Sequence, residues 1–114
     1  MRQTRPISWV KVARKEFERF PPAEQLLCWD ALTVAAEGGK ADIAKPLQGF
    51  GAGVFEIALP YRRDAFRVVY AVQLKEDLWV VHAFQKKATL GIKTPKHEID
   101  LVEQRLKRLR EELG

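Results

Sequence analysis

One cysteine, Cys28, stands among the 114 residues, so no disulfide can form within the chain. A reducing cytoplasm is the compartment this implies. Cys28 lies in an apolar helical stretch, where a lone cysteine reads as a small buried residue. With one cysteine and two histidines there is no recognisable zinc or nuclease metal motif, and no metal or cofactor is expected. No apolar run approaches the ~18 residues of a membrane span, so no membrane partner is expected. The basic start, Met1-Arg2-Gln3-Thr4-Arg5-Pro6, has no apolar signal core behind it, and the expectation is a cytoplasmic protein. There is no Gly-Lys-Ser/Thr phosphate loop; Gly49-Phe50-Gly51-Ala52-Gly53 precedes a strand and reads as a turn. Repeats and low-complexity tracts are absent too, which leaves a single domain over residues 1–114.

Charge of one sign is what the chain has in excess. The net charge is +5, with 31% charged and 46% hydrophobic residues, a composition that fits a soluble globular fold. Residues 1–59 hold eight Lys/Arg against seven Asp/Glu, and residues 98–114 hold four against five. Residues 60–97 hold eight against three: Arg62, Arg63, Arg67, Lys75, Lys86, Lys87, Lys93 and Lys96. An excess confined to one segment suits an anionic partner, RNA first; the bland alternative is a solvated basic face.

Apolar periodicity gives the elements. Ile7 to Val10 is a short strand candidate, and Ala13, Phe17 and Phe20 mark one face of a first helix. Pro21-Pro22 ends it and opens a second helix that Gly38-Gly39 stops. Residues 41–53 read as loop. Val54–Leu59, Ala65–Leu74 and Leu78–Gln85 follow as strands with short links, an antiparallel meander. Thr94 as N-cap and Pro95 at the first position open a last helix, whose seam is Ile99, Val102, Leu106, Leu109 and Leu113. The expected fold is α+β: a small antiparallel sheet, meander plus N-terminal strand, packed with a helical hairpin and a C-terminal helix.

Arg67 stands out as an arginine inside a strand, where it either pairs with Glu56 on the preceding strand or offers its planar fork to a phosphate. Alternation sends Lys86 and Lys87 to opposite faces. One shares a face with His82 and Phe84, the other with Val81, Ala83 and Gln85, and Lys86 is favoured to join Arg67. His82, in an apolar strand, and His97, in the first turn of the last helix, are the candidate acids or bases near neutral pH. Arg62, Arg63, Lys93 and Lys96 supply further RNA-binding charge.

Several segments together carry a family likeness. They are Lys45-Pro46-Leu47, Gly51-Ala52-Gly53-Val54-Phe55-Glu56-Ile57, Phe66-Arg67-Val68-Val69-Tyr70, His82-Ala83-Phe84-Gln85-Lys86-Lys87, and Thr94-Pro95 with Glu98-Ile99 behind it. In that order the chain resembles the RelE/HigB superfamily of bacterial toxins, in particular its phage-derived HigB-like branch. The resemblance implies a RelE-like fold and a ribosome-dependent mRNA endoribonuclease paired with a helix-turn-helix, HigA-like antitoxin. It also implies functional roles for Arg67, Lys86 and Lys87. The chemistry that follows is metal-free attack by the RNA's own 2′-OH. Many relatives carry a basic residue two positions after the strand glutamate; here that position is Ala58, and Arg62 or Arg63 is the available substitute. Two alternatives stay open: a gyrase-inhibiting toxin of the same superfamily, and a phage-derived nucleic-acid-binding accessory protein.

Overall fold

The computed structural model describes residues 4–59, 64–87 and 94–114. The order of elements is β1 (Ile7–Trp9), α1 (Lys11–Glu18), α2 (Pro22–Ala36), β2 (Ala44–Pro46), β3 (Val54–Leu59), β4 (Asp64–Leu74), β5 (Asp77–Lys87) and α3 (Lys96–Leu113). The strands form one sheet in the order β1-β5-β4-β3-β2. The meander β3-β4-β5 is antiparallel, as the short links require.

Alternation along these strands builds two cores. Ile57, Leu59, Val68, Tyr70, Leu78 and Val80 face the α1–α2 hairpin and meet Ala13, Phe17, Leu32 and Ala35. Val54, Val69, Ala71 and Val81 face the other way and meet Val102, Leu106 and Leu109 of α3. The seam of α3 is therefore buried against the sheet, with the hairpin on the opposite face. Cys28 is fully buried in the hairpin core, and burial pushes its thiol up to about 12.

Four expectations need correction. β1 runs parallel to β5, so the sheet is mixed and not wholly antiparallel; the chain leaves β1 straight into α1, and strand direction at an edge leaves no trace in apolar periodicity. Residues 41–53 are not all loop, since Ala44–Pro46 adds an edge strand beside β3. Three residues are too short for a period-2 pattern to register. A register shift opposite Val69 and Tyr70 skips Val81, so Val81 packs with the α3 core instead of sharing the face of Ala83. Finally, Pro95 is the N-cap of α3 and no side chain caps it, because the Thr94 hydroxyl donates to Glu56 instead. The glycine turn is real: Gly49, Gly51 and Gly53 all have positive φ on the way into β3.

Leu106 is 1% exposed at the centre of the α3 seam. Leu106→Ala is expected to cost about 2–5 kcal/mol in chemical denaturation. A loss below ~1 kcal/mol would place the seam outside the core.

Candidate functional site

The α3-facing side of the sheet turns from apolar to charged towards one end. On β3, Val54 gives way to Glu56; on β4, Val69 to Arg67; on β5, His82 to Phe84 and Lys86. Register sets Arg67 between Ala58 and Phe84, and Lys86 two residues along from Phe84. Arg67 Nη1 donates to Glu56 Oε1 at 2.8 Å, and the Thr94 hydroxyl donates to Glu56 Oε2 at 2.7 Å. One carboxylate thus fixes the strand arginine and the entry to α3.

Two donors are left over. Arg67 Nε and Lys86 Nζ are buried and have no hydrogen-bond partner among the described residues. The Lys86 side chain is 3% exposed, although the cover over it is thin. Burial lowers its pKa, the neighbouring Arg67 charge lowers it further, and Glu56 acts in the opposite sense. Arg67 on β4 stands between Glu56 on β3 and Lys86 on β5, so two cations face a single carboxylate, an excess of positive charge that suits an anion with acceptors for the spare donors.

The other expected site residues fall as follows. Lys86 shares the Arg67 face, as alternation requires. The Lys87 backbone closes β5, while its side chain and the whole of Arg62, Arg63 and Lys93 lie outside the described residues. Lys96 is exposed and pairs with Asp100 at 3.3 Å. His97 is also exposed, with Nε2 3.2 Å from Glu98 Oε2. His82 is 1% exposed and both ring nitrogens are engaged, Nε2 at 2.6 Å from Glu98 Oε1 and Nδ1 at 2.6 Å from Arg105 Nη1.

A set of partners at His82 escaped the sequence reading. Arg105 forks onto Glu16, at 2.8 Å and 3.0 Å, and also reaches the Val81 carbonyl at 3.1 Å. Glu16 in turn accepts the Ala83 N–H at 3.2 Å. Arg105 can only donate, so a neutral His82 accepts at Nδ1 and donates from Nε2 to Glu98; a protonated ring turns its Nδ1–H to Glu16, 3.3 Å away. Burial works to raise the Glu16 carboxyl, but hydrogen bonds from His82 and Arg105 outweigh it and hold it at about 2. The available signal was a charged residue on the flank of an apolar stripe in each helix: Glu16 beside Ala13 and Phe17, Arg105 beside Val102 and Leu106. Between this network and Phe84 lies an open cleft of about 310 Å³, lined by Arg19, Phe20, Phe66 and Leu101 among others.

The family model of the phage derived protein Gp49-like (DUF891) matches residues 15–107. The chain belongs to this family. The Gp49-like assignment agrees with the RelE/HigB likeness of the strand motifs. No curated protein matches the chain in sequence. Among solved structures, this Gp49-like chain is similar to a free double arginine-to-alanine mutant of the Escherichia coli toxin RelE, with TM-score 0.63 and 18% identity over 92% of this chain and 97% of that one. It is similar as well to the isolated E. coli RelE toxin, with TM-score 0.58 and 17% identity over 88% and 97%. A third likeness is to the RelBE2 toxin–antitoxin complex of Mycobacterium tuberculosis, with TM-score 0.50 and 15% identity over 75% and 93%. At these identities the likeness establishes a RelE-like fold.

The Glu16 carboxyl sits near 2 when folded, below its ordinary 4.5. Its contribution to stability is therefore complete above pH 4.5 and is lost as pH falls towards 2. The melting temperature should drop steeply across that window, and Glu16→Gln should flatten the drop while lowering the value at pH 7. Parallel acid profiles for the two proteins would show that the network does not carry this load.

Proposed function

We propose that this protein is the toxin of a type II toxin–antitoxin pair and cleaves mRNA on the ribosome. The observation that carries the reading is the pair of buried, unsatisfied donors, Arg67 Nε and Lys86 Nζ, on one face of a RelE-like sheet. The family assignment supports it, and so does the likeness to a toxin solved in complex with its antitoxin. A HigA-like helix-turn-helix antitoxin, the ribosome and mRNA are the partners this reading implies, in the cytoplasm. Among the described residues no helix is long and apolar enough to cross a membrane.

In the proposed reaction the RNA 2′-OH attacks the adjacent phosphorus. The 2′ oxygen forms the new bond to phosphorus and gives up its proton, the bond to the 5′ oxygen breaks, and that oxygen takes a proton. The products are a 2′,3′-cyclic phosphate and a 5′-hydroxyl. Arg67 sits where its guanidinium can leave Glu56 for the phosphate and hold the charge that builds there. Lys86, with its pKa lowered, gives up a proton more readily than an ordinary lysine and suits the leaving 5′ oxygen. The exposed His97 remains a candidate for moving the other proton, with Lys87 and the basic residues Arg62, Arg63, Lys93 and Lys96 binding RNA. His82 would act through Glu98, as a group that holds the first turn of α3 in place. Ribosome dependence fits a site with few acid–base groups, since the ribosome would hold the mRNA in line for attack.

Arg67 itself cannot simply be truncated to alanine. Its side chain is only 12% exposed and pairs with an equally covered Glu56, so alanine would strand a buried carboxylate. Arg67→Lys is the cleaner variant, because it keeps the charge and loses the fork. It is expected to melt near wild type and to lose most translation-coupled mRNA cleavage, mapped by primer extension. Full cleavage by Arg67→Lys and Arg67→Ala alike would sink the mechanism. Growth inhibition by the wild type with no mRNA cleavage would instead favour the gyrase inhibitor.

Lys86→Met separates stability from activity. Removing a covered, unpaired cation should raise stability, by roughly 1 kcal/mol, while cleavage falls to background. A variant that is both inactive and less stable would mean that Lys86 holds the fold and not the substrate.

A further inference from the structure

The charge excess read from the sequence lies in residues 60–97, yet a second cationic feature emerges only on folding. Helix α1 carries Lys11 and Lys15 one turn apart, and Arg19 continues the row in αR conformation at the C-cap. All three are exposed, and among the described residues none of their side chains has a hydrogen-bond or ion-pair partner. The acids of the helix are spent elsewhere. Glu18 pairs with Arg14 at 3.2 Å, and Arg14 also lies over the Trp9 ring at 5.0 Å. Glu16 is turned under the helix onto Arg105. With Glu16 turned away and the exposed Glu18 matched by Arg14, three cations remain along about 12 Å of α1.

We propose that the Lys11–Lys15–Arg19 row docks the phosphate backbone of double-helical RNA. Two features choose this partner over a single strand. Lys11 and Lys15 stand on the convex outside of the helix, apart from the cleft that Arg19 lines with Phe20, Phe66 and Phe84. The exposed apolar neighbour of the two lysines on α1 is Val12, 44% exposed, which offers no ring for bases to stack on. Contacts by exposed cations alone give sequence-independent binding to a rigid array of phosphates. The row lies on the hairpin side of the sheet, and the Arg67–Lys86 pair lies on the α3 side. Arg19, at the end of the row, also helps to line the cleft at the β5 edge. The row would therefore anchor the protein on folded RNA and leave the opposite face free for the strand to be cut.

The test is binding without cleavage, so it stands apart from the nuclease reading. A fluorescent RNA duplex of about two helical turns is titrated with the whole protein over a range of salt. The triple variant Lys11→Gln, Lys15→Gln, Arg19→Gln should bind roughly tenfold or more weakly at low salt, and its slope of log affinity against log salt should be shallower by about 2–3. Exchanging the same positions for the other cation, Lys11→Arg, Lys15→Arg, Arg19→Lys, should keep wild-type affinity, which separates lost charge from lost fold. Lys107→Gln, which removes an exposed cation from α3 on the other side of the sheet, should bind the duplex as wild type does. Unchanged affinity and slope in the glutamine variant would overturn the proposal. Preference for a single strand of the same length, lost in that variant, would overturn it equally. So would loss of an acidic protein partner with duplex binding intact.

Discussion

Arg105 is the point on which the three layers depend. β1 pairs with β5 over Leu78 to Val80, and beyond Val80 the outer edge of β5 has no neighbouring strand among the described residues. At that place the Arg105 guanidinium takes the Val81 carbonyl, and Glu16 takes the Ala83 N–H. Side chains from α3 and α1 therefore satisfy backbone groups that a longer first strand would have paired, and an open sheet edge is closed by a salt bridge. The same fork joins α1 on one face of the sheet to α3 on the other, across 89 positions of sequence. Breaking this part-buried cluster at one member would leave the remaining charges without their partner, which is costly.

The candidate site depends on that closure. His82, held at Nδ1 by Arg105, holds Glu98 in the first turn of α3. Thr94, just before that turn, holds Glu56, and Glu56 holds Arg67. A chain of contacts thus runs from the sheet edge through the start of α3 to the strand arginine. Lys86 stands beside it with no partner among the described residues, its charge disfavoured by burial and by Arg67. An unpaired buried cation is a strained arrangement in the free protein, and an anion relieves the strain. This is a local loss of stability of the sort that working sites carry.

What could be read in advance follows from the range of each interaction. The meander and the α3 seam were legible because alternation and 3.6-residue periodicity are local patterns; β3 was placed at Val54–Leu59, where the structure has it. That Lys86 and Lys87 point to opposite faces was legible for the same reason; which of them joins Arg67 depends on the β4–β5 register, and the pairing of Arg67 with Phe84 agrees with the preference for Lys86. The Glu56–Arg67 pair was open to inference because only one hairpin separates the two. The parallel setting of β1 and the Glu16–Arg105–His82 cluster were not, because each depends on elements far apart in sequence, and the strand at Ala44–Pro46 was not because three residues are too few for alternation to register. Thr94 shows the limit of local rules: its sequence context is that of a helix cap, yet a carboxylate 38 residues away takes its hydroxyl.

The central claim is that Arg67 Nε and Lys86 Nζ are donors waiting for one phosphate. NMR of the two side chains tests it directly, with the protein titrated by a short RNA that carries a 2′-deoxy sugar at the position to be cut and so binds without reacting. The account predicts that the Arg67 Nε–H resonance moves downfield as the phosphate arrives, and that the pKa of Lys86, lowered in the free protein, rises on binding. If the RNA binds to saturation while both signals stay where they are in the free protein, the phosphate sits elsewhere and the account is wrong.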